Sequence, residues 1–99
     1  MSRPALTTRY RLRPGRPLQW RTWHDDSLVF DPASGDTHVF DAVAREGLAS
    51  LEQETLDLDA LTLAMSRRLD VAPDTALGEY AARLVVDLEA LGLIVRVAS

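Results

Sequence analysis

The chain has two histidines, His24 and His38, and they are its only candidate neutral bases or nitrogen ligands for a metal. His24 is followed by Asp25 and Asp26, which together could bind a cation loosely. Three adjacent residues rarely converge on one ion, so a solvated turn is the better interpretation. In the strand register predicted below, the two histidines lie roughly 10 Å apart at about 3.3 Å per residue, too far to share a metal. The sequence therefore predicts no metal site and no cofactor.

The other reactive groups do not form a recognisable catalytic arrangement. The chain has no cysteine, which excludes disulfides, thiolate metal ligands and thiol nucleophiles. No serine lies in a nucleophile elbow, and there is no glycine-rich phosphate loop. Asp87 and Glu89 are two residues apart on a predicted helix and do not face each other, so they do not form a glycosidase pair. We therefore expect a protein without catalytic activity of its own.

Charge is divided unevenly along the 99 residues, which are enough for one small domain. Residues 1–21 contain six arginines and no acid, whereas residues 22–99 contain five arginines and fifteen acids. An acidic body repels phosphate backbones, so nucleic acid is not an expected partner. We predict a basic, flexible N-terminal arm at residues 1–16, either solvated or in contact with an acidic partner. The folded domain is predicted at residues 17–99.

The distribution of apolar residues bears on the expected location. No run of about 18 apolar residues is present, so we expect no helix that spans a membrane. The basic N-terminus is not followed by an apolar block, which does not fit a secretory signal. A cytoplasmic location is the resulting expectation.

The first part of the chain has the composition of short antiparallel strands. Three apolar runs stand at PLQWRTW (17–23), SLVFD (27–31) and THVF (37–40). A polar turn separates the first two runs, and a five-residue link with an early Pro and a late Gly separates the last two. We predict a three-stranded antiparallel meander. Further strand candidates are Thr8–Leu12 and residues 93–97.

A trial register predicts which face of this meander is buried. It places Trp23, Leu28 and Phe40 in one cross-strand row on the core face. The opposite face would carry Thr22, Val29 and Val39. A slip of one residue between neighbouring strands would reverse this assignment.

Beyond residue 41 the apolar residues recur at helical spacing. A first helix is predicted after the N-cap Asp41, ending near Glu52, and a second after the N-cap Asp57, ending near Leu69. Gly47 lies inside the first of these helices, where it is unfavourable by about 1 kcal/mol relative to Ala. Close packing against another element would explain a glycine at this position.

The third predicted helix starts at Pro73, has Asp74 in its first turn and runs to about Leu91, where Gly92 ends it. The order of strands followed by helices predicts an α+β fold. More specifically, a three-stranded antiparallel sheet followed by three helices predicts a winged-helix-like domain.

The stretch SLVFDPASGDTHVFDAVAREGLASL (27–51) resembles the small PqqD-like peptide chaperones, also called RiPP recognition elements. The closer similarity is to the subgroup found beside kinase-like genes, the HPr-related-A system proteins. The matching residues are Phe30-Asp31-Pro32, Gly35-Asp36-Thr37-His38 and Phe40-Asp41. The segment LVVDLEALGLI (84–94) is similar to the third helix of the family and its Gly-Leu ending. The resemblance covers about residues 18–95.

The resemblance implies a function in peptide binding. In this family the leader of a ribosomally made precursor peptide adds as an extra strand beside the third strand, in the groove next to the third helix. The chaperone then presents the peptide to a modifying enzyme. Carried onto this chain, the resemblance implies a peptide-binding site formed by Thr37, His38, Val39, Phe40, Leu77, Tyr80, Ala81 and Leu84. The implied partners are a leader peptide and a peptide-modifying or kinase-like enzyme.

Two other functions are compatible with the pattern. A winged helix can bind DNA, but the third helix offers only Arg83 against three acids, and the second offers Arg67 and Arg68. An interaction subunit could instead form a homodimer by pairing the same sheet edge in two copies. The predicted peptide site also depends on the C-terminal strand candidate. If that strand paired with residues 37–40, it would block the edge at which a peptide could bind.

Overall fold

A computed structural model describes residues 8–15 and 17–97 of the chain and has an α+β fold. The elements in chain order are β1 (Arg9–Leu12), β2 (Gln19–Trp23), β3 (Asp26–Asp31), β4 (Asp36–Phe40), α1 (Ala42–Gln53), β5 (Leu56–Asp57), α2 (Leu58–Leu69), α3 (Thr75–Ala90) and β6 (Ile94–Val97). They form two three-stranded sheets and three helices. The predicted antiparallel meander followed by three helices is confirmed.

The meander has the strand order β2-β3-β4. A two-residue loop at His24 and Asp25 joins β2 to β3, and four residues join β3 to β4. In the second loop Gly35 adopts a φ of +80°, and its N–H donates to the carbonyl oxygen of Asp31 at 2.8 Å. Glycine suits this left-handed conformation because it has no Cβ to clash with the backbone.

The predicted register of the meander is wrong. Leu28 lies opposite Arg21 and Val39, and Phe40 lies opposite Ser27 instead of Leu28. The β3–β4 loop is one residue shorter than expected, and a shift of one residue moves every side chain of a strand to the other face. As a result Val29 is fully buried, whereas Trp23 is 62% exposed.

The second sheet has the order β5-β1-β6 and joins distant parts of the chain. Its central strand β1 corresponds to the candidate at Thr8–Leu12 and falls within the range that the sequence assigned to the arm. The C-terminal strand β6 pairs with β1 over four residues, from Arg9 opposite Val97 to Leu12 opposite Ile94. Residues 1–7 and 16 of the predicted arm, and residues 98–99, lie outside the described residues.

Each helix begins at an aspartate cap. The carboxylates of Asp41, Asp57 and Asp74 each accept a hydrogen bond from the backbone N–H three residues later, at 2.8, 2.8 and 2.9 Å. The first two helices start and end within one residue of their predicted bounds. The third starts two residues later than predicted, because Asp74 acts as the cap rather than as a residue of the first turn.

The core lies among the three helices, the inner face of the meander and the second sheet. Its largest fully buried apolar side chains are Leu48, Leu51, Leu61, Met65, Leu88, Leu93, Ile94 and Val29. In the part of the chain that the structure describes, no helix is long and apolar enough to cross a membrane.

Gly47 is buried where α1 meets the other two helices. A Cβ added there would overlap a methyl group of Leu84 and would lie 3.2 Å from the sulfur of Met65. The prediction of close packing at Gly47 is therefore confirmed. Gly78 in α3 offers a contrast, because a Cβ there would meet no atom within 4 Å.

We expect the two glycine-to-alanine substitutions to change stability in opposite directions. Gly47→Ala should lower the free energy of unfolding by about 1 kcal/mol, because overpacking of about 1–3 kcal/mol exceeds the gain in helix propensity. Gly78→Ala should raise it by about 0.5–1 kcal/mol, because only the propensity term applies. Urea unfolding of both variants measures this difference, and equal stabilisation by both would contradict the packing at Gly47.

Candidate functional site

The candidate site is the outer edge of β4. One side of this strand pairs with β3 from Asp36 to Phe40. On its other side, no strand within residues 8–15 and 17–97 pairs with it. An edge strand presents unpaired backbone N–H and C=O groups that can pair with another extended chain.

The side chains of β4 alternate between two environments. Phe40 points inward and is only 8% exposed, and His38 shares the inner face. Thr37 and Val39 point outward, where Val39 is 62% exposed. The structure therefore separates the four predicted strand residues into an inner and an outer pair.

His38 carries an unsatisfied buried atom. Its Nε2 has no hydrogen-bond partner among the described residues, and its ring centre is 6.2 Å from that of Phe40. His38 lies in a cross-strand row with Val29 and Trp20, and the Trp20 Nε1–H donates to Glu52 of α1 at 3.1 Å. At the β2 end of this row Trp20 is thus hydrogen-bonded to a helix, whereas at the β4 end the buried Nε2 of His38 has no hydrogen-bond partner among the described residues.

The four residues predicted on α3 do not all face a groove. Leu77, Ala81 and Leu84 are buried in the core, at 9%, 0% and 6% exposure. Tyr80 is half-buried, and its hydroxyl donates to Oδ1 of Asp41 at 3.4 Å. Because Asp41 directly follows β4, this contact connects α3 to the end of the candidate edge strand.

The contact between Tyr80 and Asp41 has an electrostatic consequence. Burial raises the pKa of the Tyr80 hydroxyl, and the nearby charge of Asp41 raises it further. Tyr80 therefore remains a neutral hydrogen-bond donor. The same Asp41 carboxylate caps α1 through Ala44, so one side chain fixes both the start of α1 and the position of Tyr80.

A recess of about 330 Å³ opens on α3 beside Tyr80. Arg83, Leu84 and Asp87 complete its lining. Arg83 and Asp87 are absent from the sequence-based site. Their positions three and seven residues after Tyr80 place all three on one helix face, which is the signal that could have identified them.

Asp31, one of the residues that carry the family resemblance, is fully buried and has a structural role. Its carboxylate accepts from the Arg13 guanidinium at 2.7 and 3.0 Å. It also accepts from the backbone N–H of Ala33 at 3.0 Å and from the Ser34 hydroxyl at 3.2 Å. Arg13 donates in addition to the carbonyl of Gly92 at 2.6 Å. The pair thus joins the β3–β4 turn to the segments that flank β1 and β6.

The hydrogen bond from Arg13 lowers the pKa of Asp31 from 3.8 to about 2, against the opposing effect of burial. Asp31 is therefore ionised at neutral pH even though it is buried. The Asp31 carboxylate already accepts hydrogen bonds from Arg13, Ala33 and Ser34. We therefore assign Asp31 a role in stabilising the fold and not in binding a ligand.

No three His, Asp or Glu side chains of the described segments come close enough together to hold a metal ion. His24 stands in the β2–β3 turn with a φ of 55°, and its ring packs edge-on against Trp23 at 5.4 Å between centres. The interpretation of this stretch as a turn is confirmed.

Comparison with known proteins adds no family to this description. No family model, no curated protein and no solved structure matches the chain.

Proposed function

We propose that this protein is a non-catalytic, PqqD-like peptide chaperone. In this proposal the leader of a ribosomally made precursor peptide adds as a fourth strand to the β4 edge. The complex is then presented to a peptide-modifying or kinase-like enzyme, in the cytoplasm. The winged-helix-like arrangement, in which three helices follow the sheet, belongs to the same proposal.

One observation carries the proposal: β6 pairs with β1 and not with β4. The C-terminal strand was the element of the chain most able to block the site. Its backbone groups are instead paired in the other sheet. Strand addition draws affinity from main-chain hydrogen bonds, so an available strand edge is its first requirement.

The surroundings favour β4 over β2, the other edge of the meander. Of these two edge strands, β4 runs directly into the cap of a helix, at Asp41, and is connected there to α3 through Tyr80, whereas β2 runs into a turn. At its Asp41 end, a guest strand beside β4 would therefore approach Tyr80, which lines a recess on α3 together with Arg83 and Asp87. Side-chain pockets of this kind supply specificity in strand addition.

DNA binding receives no comparable support. Arg67 and Arg68 are exposed on α2, but Arg68 pairs with Glu46 at 3.2 Å. Arg83 on α3 lies beside Asp87 in the same recess. A recognition helix needs several unpaired basic side chains on one face to contact phosphates and base edges.

The proposal is tested by selecting peptides that bind the protein and then mapping where a selected peptide binds. Linear peptides of twelve random residues are selected on the immobilised protein, and an enriched peptide is titrated into the ¹⁵N-labelled protein. We expect micromolar affinity, with the largest shifts and new hydrogen-exchange protection at residues 37–40, followed by Tyr80 and Arg83. The amides of β2 serve as the internal control and should change little.

Two results would contradict the proposed function. One is selection that enriches no peptide over the blank support. The other is protection confined to β2 or to the helices, which would place the peptide elsewhere on the protein.

A further inference from the structure

The sheet β2-β3-β4 has one face that none of the helices within residues 8–15 and 17–97 covers. We call this the outer face; its side chains are Gln19, Arg21, Trp23, Asp26, Leu28, Phe30, Thr37 and Val39. Trp23, Val39 and Phe30 are 62%, 62% and 36% exposed. A shallow hollow of about 280 Å³ on this face is lined by residues of the sheet itself. Large apolar side chains grouped in this way are typical of interaction surfaces.

The outer face also carries two opposite charges, Arg21 and Asp26. Arg21 lies opposite Leu28 and Asp26 lies opposite Trp23, so the two charged residues are diagonal neighbours across β2 and β3. Diagonal neighbours lie about 7–8 Å apart. Both side chains are exposed, and neither forms an ion pair with another residue of the described segments. The face therefore has Leu28 at its centre and carries one positive and one negative group, neither of which has an ion-pair partner in the described segments.

This arrangement is complementary to itself. Two copies can face each other across a two-fold axis that lies between their sheets and is parallel to both. We place this axis over the midpoint of the line from Arg21 to Asp26 and at a right angle to that line. Such an axis places Arg21 of each copy opposite Asp26 of the other. It also runs close to the second diagonal, from Trp23 to Leu28, so each of these apolar side chains meets its own counterpart. Two-fold interfaces require this type of self-complementary patch.

We propose that the outer face binds a second copy of this chain, with two reciprocal ion pairs between Arg21 and Asp26 and with Trp23 and Leu28 packed between them. The contact uses the face of the sheet and not its edges. It therefore leaves the β4 edge open and does not depend on the proposed peptide binding. The homodimer expected from edge pairing is a different assembly, because it would occupy β4.

The size of the patch predicts a weak and transient dimer. The face is three strands wide, at about 4.8 Å per strand, and about five residues long. It buries less than the roughly 800 Å² per partner of a standard interface. We expect a dissociation constant on the order of 100 µM at low salt, and weaker association as salt screens the ion pairs.

Charge exchange tests this geometry without touching the core. Sedimentation velocity of the full chain from about 10 µM to about 1 mM should show reversible dimerisation. Arg21→Asp and Asp26→Arg should each weaken it by about tenfold or more, because like charges then face each other. The double variant should return to within about threefold of the wild type, and an equimolar mixture of the two single variants should form the heterodimer.

Arg67→Asp is the matched control, since it makes the same charge change on an exposed part of α2 and should leave association unchanged. Three results would overturn the proposal. These are a wild-type protein that stays monomeric at about 1 mM, association that is insensitive to both single variants, and failure of the double variant to restore it. These measurements do not depend on peptide binding, so the dimer proposal and the proposed function can fail independently of each other.

Discussion

Replacing Asp31 by Asn is expected to lower the free energy of unfolding by about 3 kcal/mol, near the lower end of the range for breaking a buried ion pair. The carboxylate has no exposed surface, while the Arg13 side chain is 26% exposed. Asn keeps the size of the side chain but removes its charge. The Arg13 guanidinium then loses its counterion and one of its two hydrogen bonds to residue 31, because the amide NH2 of Asn cannot accept, although the Gly92 carbonyl still accepts from Arg13. Urea unfolding at pH 7 measures the loss.

Asp36→Asn is the matched control for this prediction. Asp36 lies opposite Asp31 in the sheet and is exposed. Its substitution makes the same chemical change at the same end of the hairpin and should shift stability by no more than about 0.5 kcal/mol. Equal effects of the two substitutions would mean that the Asp31–Arg13 pair does not stabilise the fold.

The same ion pair should also make stability depend on pH in the acid range. The pKa of Asp31 falls from 3.8 to about 2 on folding, so its stabilisation is complete above about pH 4. It is lost as the pH decreases through about 2, and it amounts to about 2 kcal/mol at about 1.4 kcal/mol per pKa unit. The Asp31→Asn variant should lack this part of the acid dependence when unfolding is measured between about pH 2 and 5.

The helices could be predicted from the sequence because their signals are local. Asp41 and Asp57 each cap a helix through a bond to a residue three positions away. Gly92, with a φ of 77°, follows α3 as expected. Such interactions depend on neighbours in the sequence and need no knowledge of the rest of the fold.

The sheet could be predicted only in outline, because strand register depends on the number of residues in each loop. The β3–β4 loop is determined partly by Asp31, whose main partner Arg13 is eighteen residues away. A buried aspartate has no local signature that separates it from an exposed one. The pairing of β6 with β1 joins opposite ends of the chain and has no local signal either.

The strand of the candidate site could be predicted from the sequence, but the side chains of α3 that face the site could not, because their surroundings depend on distant parts of the chain. The strand at residues 37–40 stands where it was expected. On α3, however, the apolar residues Leu77, Ala81 and Leu84 fill the core. Helical periodicity shows which residues share a face but not whether that face meets the core or a groove. The spacing of Arg83 and Asp87 places them on the helix face of Tyr80, but only the structure shows that this face borders a recess.

Val39→Pro is expected to abolish binding of a peptide selected on the wild-type protein, with a loss of affinity of about 100-fold or more, or about 2.7 kcal/mol. Proline removes a backbone donor and its ring obstructs a neighbouring strand. Val39→Thr is the matched control, since it keeps the N–H and a β-branched side chain, and it should bind within about threefold of the wild type. Isothermal titration calorimetry measures both affinities, after urea unfolding has shown that the variants are folded.

N-methylation of the peptide tests the same pairing with the native protein, so the result does not depend on the folding of any variant. Backbone N–H groups of an added antiparallel strand point alternately toward and away from β4. Methylation at one set of alternate positions should therefore abolish binding, while methylation at the other set should change it by less than about threefold. Uniform tolerance of methylation, together with unchanged binding by the folded Val39→Pro protein, would show that the peptide does not add to this edge as a strand.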